Sequence, residues 1–390
     1  MIVSRTQRFD LSLRPILAGM TFESVLFVLL IAFQATVFLQ LLFYWLIFSR
    51  PVFSKPRATS SSPPVSVVIC AKNEGENLKA NLPFYLSQDY PNFEVVVVND
   101  ASDDDSYYLL KLMAEQHANL KVVNLIERPN FFVGKKFPLS IGIKSSTHEI
   151  LLLADADCKP ATDLWIRQMI DGYDQKTEIV LGYGAYQTLP GFLNKLIRFD
   201  TLHTGMQYLS LAMAGLPYMG VGRNLSYKKS LFYKANGFIS HYRVISGDDD
   251  LFINQTATAK NTRVVTGINN RTVSAPKSSF MDWVKQKRRH LSTGEYYKTR
   301  HKIVLASYSA TQFLFYGLLI TLLITLYQWP FVAGAAFLRF ASQLFLTKKW
   351  MKRLNERNFL LFSPFLEVFT MIVNPFIMFT NPMFKQGKWK

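Results

Sequence analysis

The sequence predicts an α/β fold, a mostly parallel sheet covered on both faces, joined to transmembrane helices. Three observations lead there. Apolar runs of strand length, at residues 65–70, 93–98 and 149–153, alternate with helical patterns, and strands apolar throughout belong in a sheet buried on both sides. The third of these runs ends in Asp155-Ala-Asp157, two carboxylates spaced i, i+2 on one side of a strand end. Long apolar segments flank this region on both sides, and residues 25–48 contain only Gln34, Thr36 and Gln40 as polar interruptions.

Taken in chain order, residues 25–48 reach the roughly 20 residues a helix needs to cross a bilayer. Their aromatic end, Phe43, Tyr44, Trp45 and Phe48, suits an interfacial belt. The run is too long and starts too far from Met1 for a cleaved signal peptide, and it lacks a small-residue cleavage site. Residues 50–64 are rich in Ser and Pro and read as a linker. Strands are expected at 65–70, 93–98, 120–126 and 149–153, with helices at 76–87, 103–117 and 135–145 between them. Beyond Pro160 the pattern loosens: helices at 165–173 and 192–214, a strand at 179–186, a Gly-rich loop at 219–224, an acidic cluster at 247–250, a short strand at 262–266 and a basic helix at 280–298. Three further apolar segments follow at 303–329, 331–346 and 359–379. The second carries Arg339, and the third carries Glu367, Pro364 and Pro375. One N-terminal span and two or three C-terminal ones are expected; for the last two segments a buried core helix or an interfacial helix competes with a span. The resulting division is an anchor at 1–49, the linker at 50–64, an α/β domain at 65–300 and a membrane region at 301–390.

The net charge of +17 collects beside the apolar segments, at Arg50, Lys55 and Arg57, at 285–302, and at Lys348, Lys349, Lys352 and Arg353. Positive residues favour the cytoplasmic side, so the chain is expected to be an integral membrane protein with its middle region in the cytoplasm, at the inner membrane if the source is bacterial. Arg5, Arg8, Arg14, Lys385, Lys388 and Lys390 fit that pattern less well, because three C-terminal spans would put both termini outside. Nucleic acid is set aside as a partner, since the charge follows the membrane segments and no nucleic-acid motif is present. The two cysteines, Cys70 and Cys158, have no metal-ligand spacing and read as small apolar filler in a reducing compartment.

The carboxylates at 155 and 157 suit a hard divalent cation, Mg²⁺ or Mn²⁺, which takes one or two carboxylates and completes its shell with water and phosphate oxygens. Four other stretches stand beside this pair: Val65-Ser-Val-Val-Ile-Cys-Ala-Lys-Asn-Glu74, Val98-Asn-Asp-Ala-Ser102, Gly247-Asp-Asp249 and Gln286-Lys-Arg-Arg289-His290. In this order they resemble the motifs of the family 2 inverting glycosyltransferases, whose catalytic domain has the nucleotide-sugar-binding GT-A fold. The resemblance spans residues 65–298. It implies a metal at Asp157 with Asp155 beside it or on the ribose. It also implies nucleotide contacts from Asn73, Glu74 and Asp100, and from Lys135 and Lys136, which could equally be solvated surface lysines. Asp100 could equally be a turn former. An acceptor hydroxyl needs a general base. Asp249 is assigned that role, with Asp248 and Asp250 as alternatives in register; the acidic run could instead cap the helix that follows. Gln286 and Arg289 resemble the Q-x-x-R-W motif of membrane-embedded synthases, with Arg289 on the diphosphate and His290 in place of Trp as a smaller platform. Lys285, Lys287 and Arg288 are expected to lie on anionic lipid.

The expected function is inverting transfer of a sugar from a nucleotide diphosphate, foremost a UDP-sugar, to a lipid-linked or other membrane-associated glycan acceptor. A processive synthase of an extracellular polysaccharide is the second enzymatic reading. A catalytically inactive receptor or scaffold that keeps a nucleotide-sugar domain is the reading of another class.

Overall fold

A computed structural model of the chain describes residues 21–55, 58–126 and 134–380. Arg5, Arg8, Arg14, Arg57, Lys385, Lys388 and Lys390 lie outside the described residues.

The chain enters with α1 (Phe22–Leu42), whose last turns widen into a π-helical segment, Phe43–Phe48, before a short α2 (Arg50–Phe53). The domain then runs β1 (Val65–Ala71), α3 (Gly75–Leu86), β2 (Phe93–Asp100), α4 (Ser106–Gln116), β3 (Leu120–Leu125), α5 (Lys136–Ser145) and β4 (Ile150–Asp155). It continues with β5 (Cys158–Pro160), α6 (Trp165–Ile170), β6 (Ile179–Leu181), β7 (Gly184–Tyr186), α7 (Phe192–Met213), β8 (Leu225–Lys228) and α8 (Lys229–Lys234). After α9 (Asp250–Thr256), β9 (Thr262–Val264) and β10 (Thr272–Ser274) come α10 (Phe280–Leu291), α11 (Thr299–Ile324), α12 (Trp329–Leu354) and α13 (Ser363–Thr380).

Among the described residues, seven strands form the main sheet in the order β3-β2-β1-β4-β8-β6-β9. The first four are parallel, as their unbroken apolar runs require, and register pairs Cys70 with both Val98 and Asp155. The strand ends that carry Asn73, Glu74, Asp100 and Asp155 therefore lie along one edge. Successive residues of each strand face opposite layers. Val68, Cys70, Val98, Leu151 and Leu153 pack with α5, α7 and α9, whereas Val67, Ile69, Val95, Val97 and Leu152 pack with α3, α4 and α6.

Beyond β4 the sheet is no longer parallel throughout. β8 runs antiparallel to both β4 and β6. The single strand expected at 179–186 is two, β6 and β7, in different sheets. Asn224 holds the break open: its Nδ2 donates to the Tyr183 carbonyl (2.9 Å) and to that of Asn270 (2.7 Å). β5, β10 and β7 make a small second sheet whose three-residue strands are too short to leave a periodic signature. The basic helix stops at Leu291 and tightens into a 3₁₀ segment, Ser292–Tyr296, short of the expected 298.

Four helices among the described residues are long and apolar enough to cross a membrane: α1 with its π-helical extension, α11, α12 and α13. Two buried charges within them, Arg339 and Glu367, satisfy each other. Arg339 of α12 pairs with Glu367 of α13 at 2.6 Å, and both side chains are buried. Gln40 of α1 accepts from Arg339 Nε (2.7 Å), while Gln312 and Tyr316 of α11 donate to Glu367 (2.9 and 2.7 Å). One polar knot thus joins all four helices. Within the bundle Trp350 Nε1 donates to the Phe48 carbonyl (2.9 Å), and the buried Arg198–Glu356 pair (2.6 Å) ties the bundle to the domain. Glu367→Ala leaves Arg339 buried without its counter-charge. It is expected to cost about 3–5 kcal/mol, while the apolar double replacement Arg339→Met with Glu367→Leu recovers most of that. Thermal unfolding in detergent checks this; a single-variant loss no larger than that of the double variant contradicts it.

Candidate active site

The Asp155–Asp157 turn links β4 to β5 across the rim of the main sheet. It is braced from beneath. The Cys158 thiol donates to the Asp155 carbonyl (3.1 Å), Asn81 Nδ2 to the Ala156 carbonyl (2.9 Å) and Tyr85 OH to the Cys158 carbonyl (3.2 Å). Burial, with Asp155 close by, pushes the Cys158 thiol up to about 12, so it stays a donor. Cys158 is thus more than the apolar filler expected of it.

The two carboxylates differ in their surroundings. Asp155 pairs with the Lys135 ammonium. Burial works against its charge, but Lys135 outweighs burial and holds the carboxyl below its ordinary value. Asp157 forms no ion pair within 4.0 Å among the described residues and opens to the cleft. Enclosure, then Asp155, push Asp157 up. An anion so placed is short of a cation. No group of three His, Cys, Asp or Glu residues capable of holding a metal occurs among the described residues. The donor set therefore fits a hard divalent ion that draws most of its shell from water and phosphate, and does not fit a fully protein-caged one.

The opposite wall is the acidic run. Gly247 enters it with φ +97°, and a Cβ there would meet Leu251 Cδ1 at 2.5 Å. Asp249 caps α9: its Oδ1 accepts from Asp250 N (2.8 Å), and its Oδ2 accepts from Gly222 N (2.7 Å). The capping expectation is thus met while the carboxylate still faces the cavity. Burial, then Asp248 and Asp250, push Asp249 up to about 8. Asp250 is more enclosed, accepting from Tyr297 OH (2.7 Å) and from Thr293 Oγ1. Asp248 does not line the cavity.

A single cavity of about 1000 Å³ joins Asp155, Asp157, Asp249, Asp250, Gln286, Arg289 and His290. Gln286 donates to Tyr186 OH (3.2 Å). Enclosure in the cavity and the neighbouring Arg289 hold the His290 imidazole neutral, pushed down to about 3. Asn73, Glu74, Asp100, Lys135 and Lys136 do not line this cavity. Asn73, at φ +54°, latches two turns together: its N–H donates to Ser102 Oγ (2.9 Å) and its Oδ1 accepts from Asp103 N (2.8 Å). Glu74 accepts from Asn77 (2.5 Å), and Asp100 is fully buried at the end of β2. Lys136, a residue expected at the nucleotide, is turned away and buried. Its ammonium donates to the carbonyls of His241 (2.6 Å), Val244 (2.7 Å) and Ser246 (2.8 Å), the loop that leads into the acidic run. Lys287, expected on lipid, is likewise buried and holds both oxygens of Asp200 at 2.7 Å.

Sequence reasoning missed Arg223, Tyr186 and Lys277, which line the same cavity. Arg223 stacks over the Tyr186 ring at 4.3 Å and donates to the Gly184 carbonyl (2.7 Å). A Cβ at Gly184 would sit 2.1 Å from Arg223 Nε, so glycine there lets the guanidinium through. The Gly-rich loop that carries Arg223 was the available signal.

Comparison with known proteins agrees with this layout. Residues 66–246 match the Glycosyl transferase family 2 profile. The Glycosyltransferase AglE of Haloferax volcanii is 28% identical over 151 residues, 38% of this chain and 48% of that protein. The Beta-monoglucosyldiacylglycerol synthase of Trichormus variabilis is 31% identical over 121 residues, 30% of this chain and 25% of that protein. The chain thus spans about half, or less, of the length of these curated relatives. The mannosyltransferase PcManGT of Pyrobaculum calidifontis, solved with GDP-Man and Mn²⁺, superposes with a TM-score of 0.55 at 20% identity, covering 89% of this chain and 99% of that one. The α/β domain has the GT-A fold, and its residues 66–246 are similar to glycosyl transferase family 2 domains.

Proposed function

We propose that the chain is a membrane-anchored inverting glycosyltransferase that moves a sugar from a nucleotide diphosphate, foremost a UDP-sugar, to a membrane-associated lipid acceptor. The observation that carries this reading is the cavity, which runs from Asp157 and Asp249 to side chains of α11 and α13. A bound Mg²⁺ or Mn²⁺ supplies charge neutralisation at the leaving diphosphate. Asp157 would hold it, with Asp155, itself paired with Lys135, close by. Arg289 and Arg223 add positive charge on the same side. The acceptor hydroxyl oxygen attacks the anomeric carbon, the bond from that carbon to the diphosphate oxygen breaks, and the hydroxyl proton passes to Asp249. Lys136 serves as a positioning residue for the acidic run.

Incubating the purified full chain in vesicles with radiolabelled nucleotide sugars and Mn²⁺ tests this. Label is expected in the organic extract. A processive synthase is the second reading, favoured by Gln286 and Arg289 both lining the cavity, and it is chosen if the label appears in a water-soluble polymer. Titration with UDP, with and without Mn²⁺, addresses the inactive-scaffold reading, which requires that no metal-dependent binding occur.

The orientation proposed places residues 50–300 in the cytoplasm, where nucleotide sugars are made. α13 bears on the topology. Its first turn meets α7 (Phe365 and Phe192 ring centroids 6.3 Å apart), and its last residue, Thr380, accepts from Arg288 of α10 (3.2 Å). Contacts to the domain at both ends support an α13 that lies in the interface. With α1, α11 and α12 crossing, the start of α1 is outside and the end of α13 is inside. A cysteine at the exposed Ser61 reports on this, because Cys70 and Cys158 are both buried. Ser61→Cys is expected to resist a membrane-impermeant maleimide in intact cells and to react after lysis; labelling of intact cells overturns the orientation.

A further inference from the structure

We propose that the membrane-side arm of the cavity is a binding site for an uncharged, hydroxyl-bearing lipid, such as a diacylglycerol, and not for a phosphate-bearing polyprenyl chain. This deepens the lipid-acceptor reading above and rests on it.

The arm is walled by α7, α11 and α13. α7 contributes a polar stripe at i, i+4 and i+7, Asp200, Thr204 and Gln207, and α11 contributes Ser309. The arm's charge is already neutralised, because Asp200 takes the Lys287 ammonium on both oxygens at 2.7 Å. Of the other cations of the cavity, Arg223, Arg289 and Lys277 lie near Asp155 and Asp157, and Lys302, in the first turn of α11, donates to the Glu295 carbonyl (3.0 Å).

The α13 wall offers acceptors. Asn374 lines the cavity, and its Oδ1 is buried without a hydrogen-bond partner among the described residues. Pro375 follows inside the helix and has no N–H, so the carbonyl of Met371, four residues back, loses its intrahelical donor. Met371 and Pro375 line the same cavity. A buried amide oxygen costs stability until a donor reaches it. Hydroxyl groups supply donors to these two oxygens; a phosphate brings further acceptors and negative charge, and Lys287, the lysine beside this arm, is already paired with Asp200.

The outer end is apolar and open. Phe313 of α11 and Met378 of α13 line the cavity and are also 43% and 50% exposed on the helix surfaces that would meet acyl chains. A lipid can therefore enter sideways between α11 and α13, leave its chains in the bilayer and carry its hydroxyl inward toward Asp249.

The test uses the full chain in phosphatidylcholine vesicles with a diacylglycerol bearing a diazirine on one acyl chain and a free 3-hydroxyl. After irradiation, labelled peptides are mapped while dioleoylglycerol or undecaprenyl phosphate competes. Labelling is expected within 302–313 and 370–378, lost to dioleoylglycerol and unaffected by undecaprenyl phosphate. Asn374→Leu is expected to raise the dioleoylglycerol needed for half competition about tenfold, the effect of one lost hydrogen bond, whereas Asn374→Gln, which keeps an amide oxygen, stays near the unmodified chain. Equal or better competition by undecaprenyl phosphate, labelling spread evenly over α1 and α12, or no labelling of the two segments overturns the proposal. Competition on the unmodified chain decides the matter even if Asn374→Leu fails to insert. UDP titration with Mn²⁺ on the same vesicles separates the two readings: binding without arm labelling removes the lipid site alone, and no binding removes the transferase reading as well.

Discussion

Asp157→Asn is expected to abolish turnover while the chain remains folded and membrane-inserted. Asp157 sits on the rim of the sheet, not in its core, and among the described residues no cation pairs with it. Replacing it with an isosteric amide therefore removes no structural contact, and it takes one negative charge away from beside Asp155. What is lost is the oxygen that would hold the divalent ion, and with it several kcal/mol of charge stabilisation as the diphosphate departs. Asp155→Asn differs, because it also releases the buried Lys135 ammonium and is expected to destabilise the fold. Initial rates with saturating Mn²⁺, beside UDP titrations, check both. Activity of Asp157→Asn near that of the unmodified chain removes the metal assignment.

Asp249→Asn is expected to lower turnover by ~10²–10⁴-fold with UDP binding largely kept, the usual cost of a missing general base. The single amide oxygen can still accept from Gly222 N–H, at the loss of the cap on Asp250 N–H, but it cannot take a proton. Asp250→Asn is expected to cost less in turnover, because Tyr297 and Thr293 already occupy that carboxylate. The pH dependence follows from the same site. With Asp249 pushed up to about 8, its basic form is depleted as pH falls below that value, so kcat/KM is expected to drop tenfold per pH unit on the acidic side. The sign for folding is opposite to that of a salt-bridged acid. The native state binds the proton more tightly than the unfolded chain, so stability declines as pH rises from the ordinary 3.8 toward about 8. An acidic limb below pH 5, or a larger loss in Asp248→Asn, contradicts the assignment.

The first half of the domain was legible because its strands are long and buried on both faces. Val65–Ala71, Phe93–Asp100 and Ile150–Asp155 are apolar nearly throughout, and the carboxylates at their ends stand out against that background. The second half was not, since three-residue strands carry no period and the break between β6 and β7 depends on Asn224 reaching two distant carbonyls. Composition likewise could not tell that Lys287 points inward to Asp200 while Lys285, two residues earlier, pairs with Asp282 on the surface at 3.1 Å. Helix phase separates them, and it becomes visible only once α7 is in place. Of the site, Asp157, Asp249, Gln286 and Arg289 were readable as motif residues, whereas Arg223 depended on the space left at Gly184.

Adjacent lysines leave the start of α5 in opposite directions, Lys135 to the Asp155 carboxylate and Lys136 to three carbonyls before the acidic run. One peptide bond therefore sets the spacing between two loops that lie 86 positions apart in the chain, counted from Asp155 to His241. For protein engineering this makes the three pieces a single cassette. A donor-recognition segment transplanted from a relative without its matching 241–247 loop would arrive with one anchor short, and the two halves of the site would drift in relative position even if each were copied faithfully. Chimeras that exchange 134–136 together with 241–250 are the ones with a physical reason to work.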